Sequence, residues 1–121
     1  MKTEVKNIPD KGRGVFACQD ISEGEIIEKA HVIIIDKEQS SHIEKTILDD
    51  YVFLWKEDCA AVLGNGMMYN HSYEPNAIYI RDLENKIMIY KALKNIAVGE
   101  EIFINYNGDP NSKDPVWFDV K

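Results

Sequence analysis

NHSYEPNA, residues 70–77, places an amide, an imidazole, a hydroxyl, a phenol, a carboxylate and a proline in one run between apolar segments. As local chemistry it is a polar turn, because Asn and Ser side chains bond nearby backbone and Pro fixes φ. A turn does not need all of these groups. Asn70 can donate and accept at once, which suits a ligand bearing an ammonium or an adenine edge, and His71 can bond backbone or act as a base. Which reading holds depends on what lies on either side.

Outward from this run the chain reads as short strands. EIIEKAHVIIID (25–36), AIYIRDL (77–83), KIMIYKAL (86–93) and EEIFINY (100–106) are rich in Ile, Val, Tyr and Phe. The middle two flank Glu84 and Asn85 and predict a hairpin. DISEGEII (20–27) and NIAVGEEI (95–102) share I-x-x-G-E, which predicts two similar corners with Gly at positive φ. In SSHIEKTILDDYVFLW (40–55), Ser41 and Glu44 form a capping box ahead of Ile43, Ile47, Leu48 and Tyr51, predicting a short helix. YVFLW either continues it or starts another strand. The tail NGDPNSKDPVWFDVK (107–121) is irregular, but Trp117 and Phe118 are costly to leave in water, so it should fold back.

A length of 121 residues fits a single domain with one core, and 45% apolar and 29% charged residues are ordinary globular values. Cys18 and Cys59 are isolated, giving neither a zinc spacing nor a disulfide framework; a reducing interior is the expected setting. No apolar run approaches the ~20 residues of a membrane span, and the N-terminus has no signal-peptide core. A cytoplasmic protein is expected, or a nuclear one, whether in its own cell or in a host. The net charge of -7 disfavours direct nucleic-acid binding and favours a basic protein or peptide partner.

KGRGVFA (11–17) satisfies G-x-G-x-x-A, but CQDISEGEII follows instead of a helix, so a dinucleotide fold fails on context. Backbone N–H groups around Gly12, Arg13 and Gly14 remain a candidate cradle for a carboxylate, with a simple turn as the alternative. His31, His42 and His71 fall in no metal-ligand spacing. A thiol hydrolase pairing Cys18 or Cys59 with His71 finds no local support. Most of the six tyrosines fit core or half-core roles, but Tyr106 ends an apolar strand at Asn107-Gly108, where a hydroxyl could project into a site.

Taken in order, GRGVFA (12–17), NHSYEPNA (70–77) and GEEIFINY (99–106) resemble the signature of the SET-domain protein lysine methyltransferases. ISEGEII after the first motif fits too, so the resemblance covers nearly the whole chain. It is most similar to the compact, stand-alone viral and bacterial forms. The resemblance implies a mainly β fold of short strands and small sheets with one or two short helices and a C-terminal pseudoknot. Residues 1–121 would form one SET domain, with 107–121 as an irregular lid.

It further implies S-adenosylmethionine as cofactor. The backbone of Lys11, Gly12, Arg13 and Gly14 would meet its methionine part, and Asn70 with His71 its amino group and adenine. Tyr106 matches the catalytic tyrosine. Tyr79, and less strongly Tyr51, would line the substrate lysine channel, and Ile104 stands where relatives limit the number of methyls added. Ser72 would be a structural hydrogen bonder. Tyr73 replaces a frequent cysteine, and the cysteine-rich zinc segments of many relatives are missing, leaving Trp117 to stack near the cofactor or close the channel. The implied substrate is a lysine of a basic protein such as a histone tail; few flanking elements make a homodimer an attractive arrangement. A catalytically silent module that binds a peptide or partner is the alternative, and the intact Asn70, His71 and Tyr106 speak against it.

Overall fold

The β-branched segments pair into two sheets in the computed structural model, which describes residues 2–10 and 12–116. In the first sheet, β1 (Thr3–Ile8) and β2 (Gly12–Ala17) form an antiparallel hairpin. Next to β2 lies β9 (Glu101–Ile104), and next to β9 the two-residue strand β6 (Asn70–His71). The second sheet has the order β4 (Phe53–Trp55), β5 (Asp58–Val62), β3 (Ile26–Ile35), β8 (Ile87–Ala92), β7 (Ala77–Asp82). Every pair is antiparallel except β6–β9, where Asn70 lies against Phe103 and His71 against Ile104. That parallel pair holds the middle motif against the C-terminal one.

The mainly β expectation is met, and so is the hairpin: β7 and β8 are joined by a turn in which the Asp82 carboxylate accepts from the Asn85 N–H. The two G-E corners are near copies. Gly24 and Gly99 have φ of 82° and 89°, a region where a Cβ is strained. In each, the glutamate after the glycine accepts from a backbone N–H three residues earlier, Ser22 for Glu25 and Ala97 for Glu100, at 3.1 Å. The corners join at Ile21 and Ile96, which exchange both backbone hydrogen bonds at 2.8 Å. Both isoleucines are buried with Val15, Met88, Ile102 and Ile104 in the core under these corners.

The helix lies earlier than the capping box predicts. α1 spans Lys37–Ile43 with Asp36 as N-cap, its carboxylate accepting from the Gln39 N–H. A separate 3-10 turn, Ile47–Asp50, is capped by Thr46, and Phe53–Trp55 begins a strand. The Asp36 carboxylate outcompetes Ser41 because it meets orphan helix N–H groups at the positive end of the helix dipole. GRGVFA proves to be strand β2, and β1 and β5 are strands that local composition did not announce. The tail is tied back as far as Asp114: the Asn105 and Asn107 amides donate to the carbonyls of Ser112 and Asp114, and the Lys113 ammonium to that of Tyr73. Trp117 and Phe118 lie outside the described residues. Among the described residues no helix is long and apolar enough to cross a membrane.

Candidate active site

Tyr106 lies two residues beyond the last residue of β9, and hydrogen bonds to three residues help fix it. Its N–H donates to His71 Nδ1 at 2.9 Å, its hydroxyl donates to the Tyr69 carbonyl at 2.6 Å, and its carbonyl accepts from the Tyr79 hydroxyl at 3.1 Å. The β6–β9 pairing brings these groups together, since it sets residues 69–71 beside the end of β9. Asn76, 8% exposed, strengthens the junction: its amide donates to the Glu101 carbonyl and accepts from the Phe103 N–H. Ser72 Oγ accepts from the Glu74 N–H, the structural role expected of it.

The His71 ring is buried against Tyr73, edge to face at 4.6 Å, and lies 5.2 Å from the Tyr106 ring. Burial pushes its pKa below the ordinary 6.5, and accepting at Nδ1 likewise requires a neutral ring. The folded imidazole thus takes up a proton less readily than the unfolded one, so stability from this group is complete above about pH 6.5 and declines as the pH falls. Glu25 and Asp82, held low by Lys2 and Asn85, act only below their ordinary 4.5 and 3.8. At the alkaline end the phenols of Tyr69, Tyr79, Tyr90 and Tyr106 are raised above 10.0, chiefly by burial. The unfolded chain loses those protons first, so stability falls as the pH rises past 10. Urea midpoints measured from pH 5 to 11 should form a plateau with a first decline between 6.5 and 5; a flat acid limb to pH 5 would contradict the His71 assignment.

Beside Tyr106 opens a cavity of about 540 Å³, walled by Tyr51, Phe53, Met67, Tyr69, Tyr79 and Tyr106, with the exposed Asp49 and Asp50 also among its lining residues. Its walls are held from behind. Tyr69 stacks on Tyr90 at 4.4 Å and donates its hydroxyl to Glu28 at 2.6 Å. Phe53 meets Tyr79 edge to face at 4.9 Å, and the Arg81 guanidinium lies 5.4 Å from the Tyr79 ring centre while donating to the Leu54 carbonyl. Such a cavity can take an aliphatic chain ending in an amine: aromatic faces attract the cation, and poor hydration favours its neutral form.

On the other side of Tyr69, Asn70 reaches the first motif. β2 pairs with β1 along its whole length but with β9 only at Val15 and Phe16, leaving the Gly12–Gly14 half of that edge to side chains. There Asn70 Nδ2 donates to the Arg13 carbonyl at 2.9 Å and to Glu101 Oε2 at 2.7 Å. Backbone N–H groups can donate to a carboxylate and the Asn70 Oδ1 can accept from an ammonium, the two partners an amino acid zwitterion needs. The residues present therefore fit the methionine end of S-adenosylmethionine.

Of the expected site residues, Tyr51, Tyr79 and Tyr106 converge on the cavity, and Arg13 and Gly14 converge with Asn70, while Gly12 lies on the same strand with open space where a Cβ would stand. The His71 ring turns toward Tyr106. Ile104 is fully buried in β9 and does not line the cavity. Lys11 and Trp117 lie outside the described residues. Phe53, Met67, Tyr69 and Glu101 escaped the sequence reading. Tyr69 adjoins one recognised motif and Glu101 lies inside another, but only the register of β6 against β9 aims them at the site.

A family model described as SET domain matches residues 12–107. A Schizosaccharomyces pombe protein described as a histone-lysine N-methyltransferase specific for H3 lysine-37 is 34% identical over 118 residues, covering 96% of this chain and 76% of that protein. A candidate SET domain-containing protein of Acanthamoeba polyphaga mimivirus is 45% identical over 47 residues, 39% of this chain and 18% of its own length. Among solved structures, a candidate histone methyltransferase of Plasmodium falciparum superposes with a TM-score of 0.72 at 33% identity, over 87% of this chain and 92% of that one.

Proposed function

The chain belongs to the SET-domain family and is a protein-lysine methyltransferase, and from that premise we propose that its cofactor is S-adenosylmethionine and its substrate a lysine in a basic protein tail. The Gly12–Gly14 edge with Asn70 would hold the amino-acid end of the cofactor, and the aromatic cavity would admit the lysine side chain. One observation carries this assignment: Tyr106 lies on the cavity wall and bonds the carbonyl of Tyr69, the residue immediately before Asn70. The two half-sites are therefore joined through consecutive residues of the chain, Tyr69 on one and Asn70 on the other.

When bound, the cofactor supplies an electrophilic methyl group on a sulfonium. The chain has to align the amine, keep it unprotonated and exclude water. Tyr69, Tyr79 and Phe53 desolvate the amine and favour its neutral form; its proton can leave to solvent through the mouth of the cavity. The Tyr106 phenol, raised above its ordinary range by burial, stays protonated at neutral pH. Its proton is committed to the Tyr69 carbonyl, so its oxygen lone pairs remain to orient the reacting groups without competing for the methyl. His71 stays neutral and holds the Tyr106 backbone in place. Ile104, buried in the core and off the cavity wall, would influence the number of methyls only indirectly.

The net charge of -7 and the carboxylates of Asp49 and Asp50 at the cavity support a basic substrate. Methyl transfer from labelled S-adenosylmethionine to a panel of basic proteins, histones included, tests the reading. The wild-type chain should label at least one of them, and Asn70→Ala should weaken cofactor binding by roughly 10-fold or more through the loss of a charge-assisted hydrogen bond. Absence of cofactor binding by the wild-type chain would refute the cofactor assignment.

A further inference from the structure

The sequence pairs a glycine doublet with a distant asparagine; the structure adds a carboxylate to that pair. Asn70 is half-buried, and its Nδ2 donates two hydrogen bonds, to the Arg13 carbonyl and to Glu101 Oε2, the latter at 2.7 Å. Both partners are pure acceptors. If the amide were turned over, Oδ1 would face a carbonyl and a carboxylate, with the loss of both bonds, one of them charge-assisted. Glu101 and Arg13 therefore fix the orientation of the amide, leaving Oδ1 as its remaining polar atom. That atom can accept a hydrogen bond and cannot donate one.

Gly14 fits the same picture. A Cβ there would come within 2.6 Å of Glu101 Oε2 and 2.9 Å of Asn70 Nδ2, and also 2.7 Å from Ile8 Cδ1. Gly14 is not at positive φ, so what it provides is space, into which the Asn70–Glu101 pair packs. The second glycine of G-R-G and the second glutamate of G-E-E thus belong to one device, though they stand far apart in the chain.

We propose that Glu101 is a positioning residue that sets the polarity of Asn70, so that the site selects a ligand carrying a free α-amino group. The inference rests on the S-adenosylmethionine reading and concerns which end of that molecule the site discriminates. Glu101 acts through Asn70: Glu101→Gln keeps the size of the side chain but can offer its own N–H to the asparagine, so either orientation of the amide becomes satisfiable. Ligands lacking the amino group make no use of Oδ1 and should not sense the change.

The test is titration calorimetry of S-adenosylhomocysteine and of its analogue lacking the α-amino group, with no turnover required. The wild-type chain should prefer the amino-bearing ligand by about tenfold or more, the worth of one charge-assisted hydrogen bond. In Glu101→Gln that preference should shrink several-fold while affinity for the deaminated analogue stays within about twofold. Gly14→Ala, which presses on the same pair from the opposite side, should also reduce the preference, and it keeps the test decisive if Glu101→Gln fails to fold. Equal weakening of both ligands, or an unchanged preference, overturns the proposal. Failure of the wild-type chain to bind either ligand overturns the cofactor reading itself, and this inference with it.

Discussion

Tyr106→Phe should lower turnover by roughly 10²- to 10³-fold, the cost seen when one preorganised polar group is removed from a reacting centre. The ring remains, so the cavity wall shared with Tyr51, Tyr69 and Tyr79 persists. What disappears is the hydroxyl that donates to the Tyr69 carbonyl at 2.6 Å, and with it the oxygen at the boundary between the two half-sites. Cofactor affinity should stay within about threefold, because Asn70 and Glu101 are untouched, and stability should fall by only ~1 kcal/mol for one hydrogen bond. Single-turnover labelling beside calorimetry separates these quantities. A turnover loss matched by an equal loss of cofactor binding would place Tyr106 in the binding site and not at the reacting atoms.

His71→Ala should cost stability and activity together. The ring is 3% exposed and fills the space between Tyr73 and Tyr106, so its removal leaves a void and deprives the Tyr106 N–H of its acceptor. Large-to-small changes at such sites, with a lost buried hydrogen bond, destabilise by ~2–4 kcal/mol. His71→Asn is the informative partner. An asparagine Oδ1 stands close to where the imidazole Nδ1 stood, so it can accept from Tyr106 and should recover part of the turnover. It cannot titrate, and the decline in stability below pH 6.5 should vanish with it. If Asn restores no more than Ala does, the hydrogen bond to Tyr106 is not what His71 contributes.

The two substitutions probe opposite faces of one junction. Two residues of parallel pairing, Asn70 with Phe103 and His71 with Ile104, carry little strand energy alone. The side chains make the junction rigid: Asn76 bonds the backbone of β9 twice, His71 holds the N–H of Tyr106, and Tyr79 holds its carbonyl. Polar groups of NHSYEPNA are thus largely consumed inside the protein, binding one segment to another, and a smaller set faces the ligand half-sites.

The chain's local composition specified the strands β3, β7, β8 and β9, the Glu84–Asn85 turn and the paired G-E corners, because β-branched runs and positive-φ glycines express themselves within a few residues. Three ordered motifs identified the family, and Asn70 and Tyr106 within them, with Tyr79 on the following strand, are the residues that the structure gathers around the candidate site. Tertiary structure decided the rest. Ser41 reads as a cap, yet Asp36 starts the helix, since capping depends on which carboxylate reaches the free N–H groups. Ile104 reads as a site residue, yet it faces the core, because strand register determines the face on which each side chain lies. Tyr69, Phe53 and Glu101 became site residues only through pairing of segments distant in sequence, and such long-range register leaves no trace in local composition.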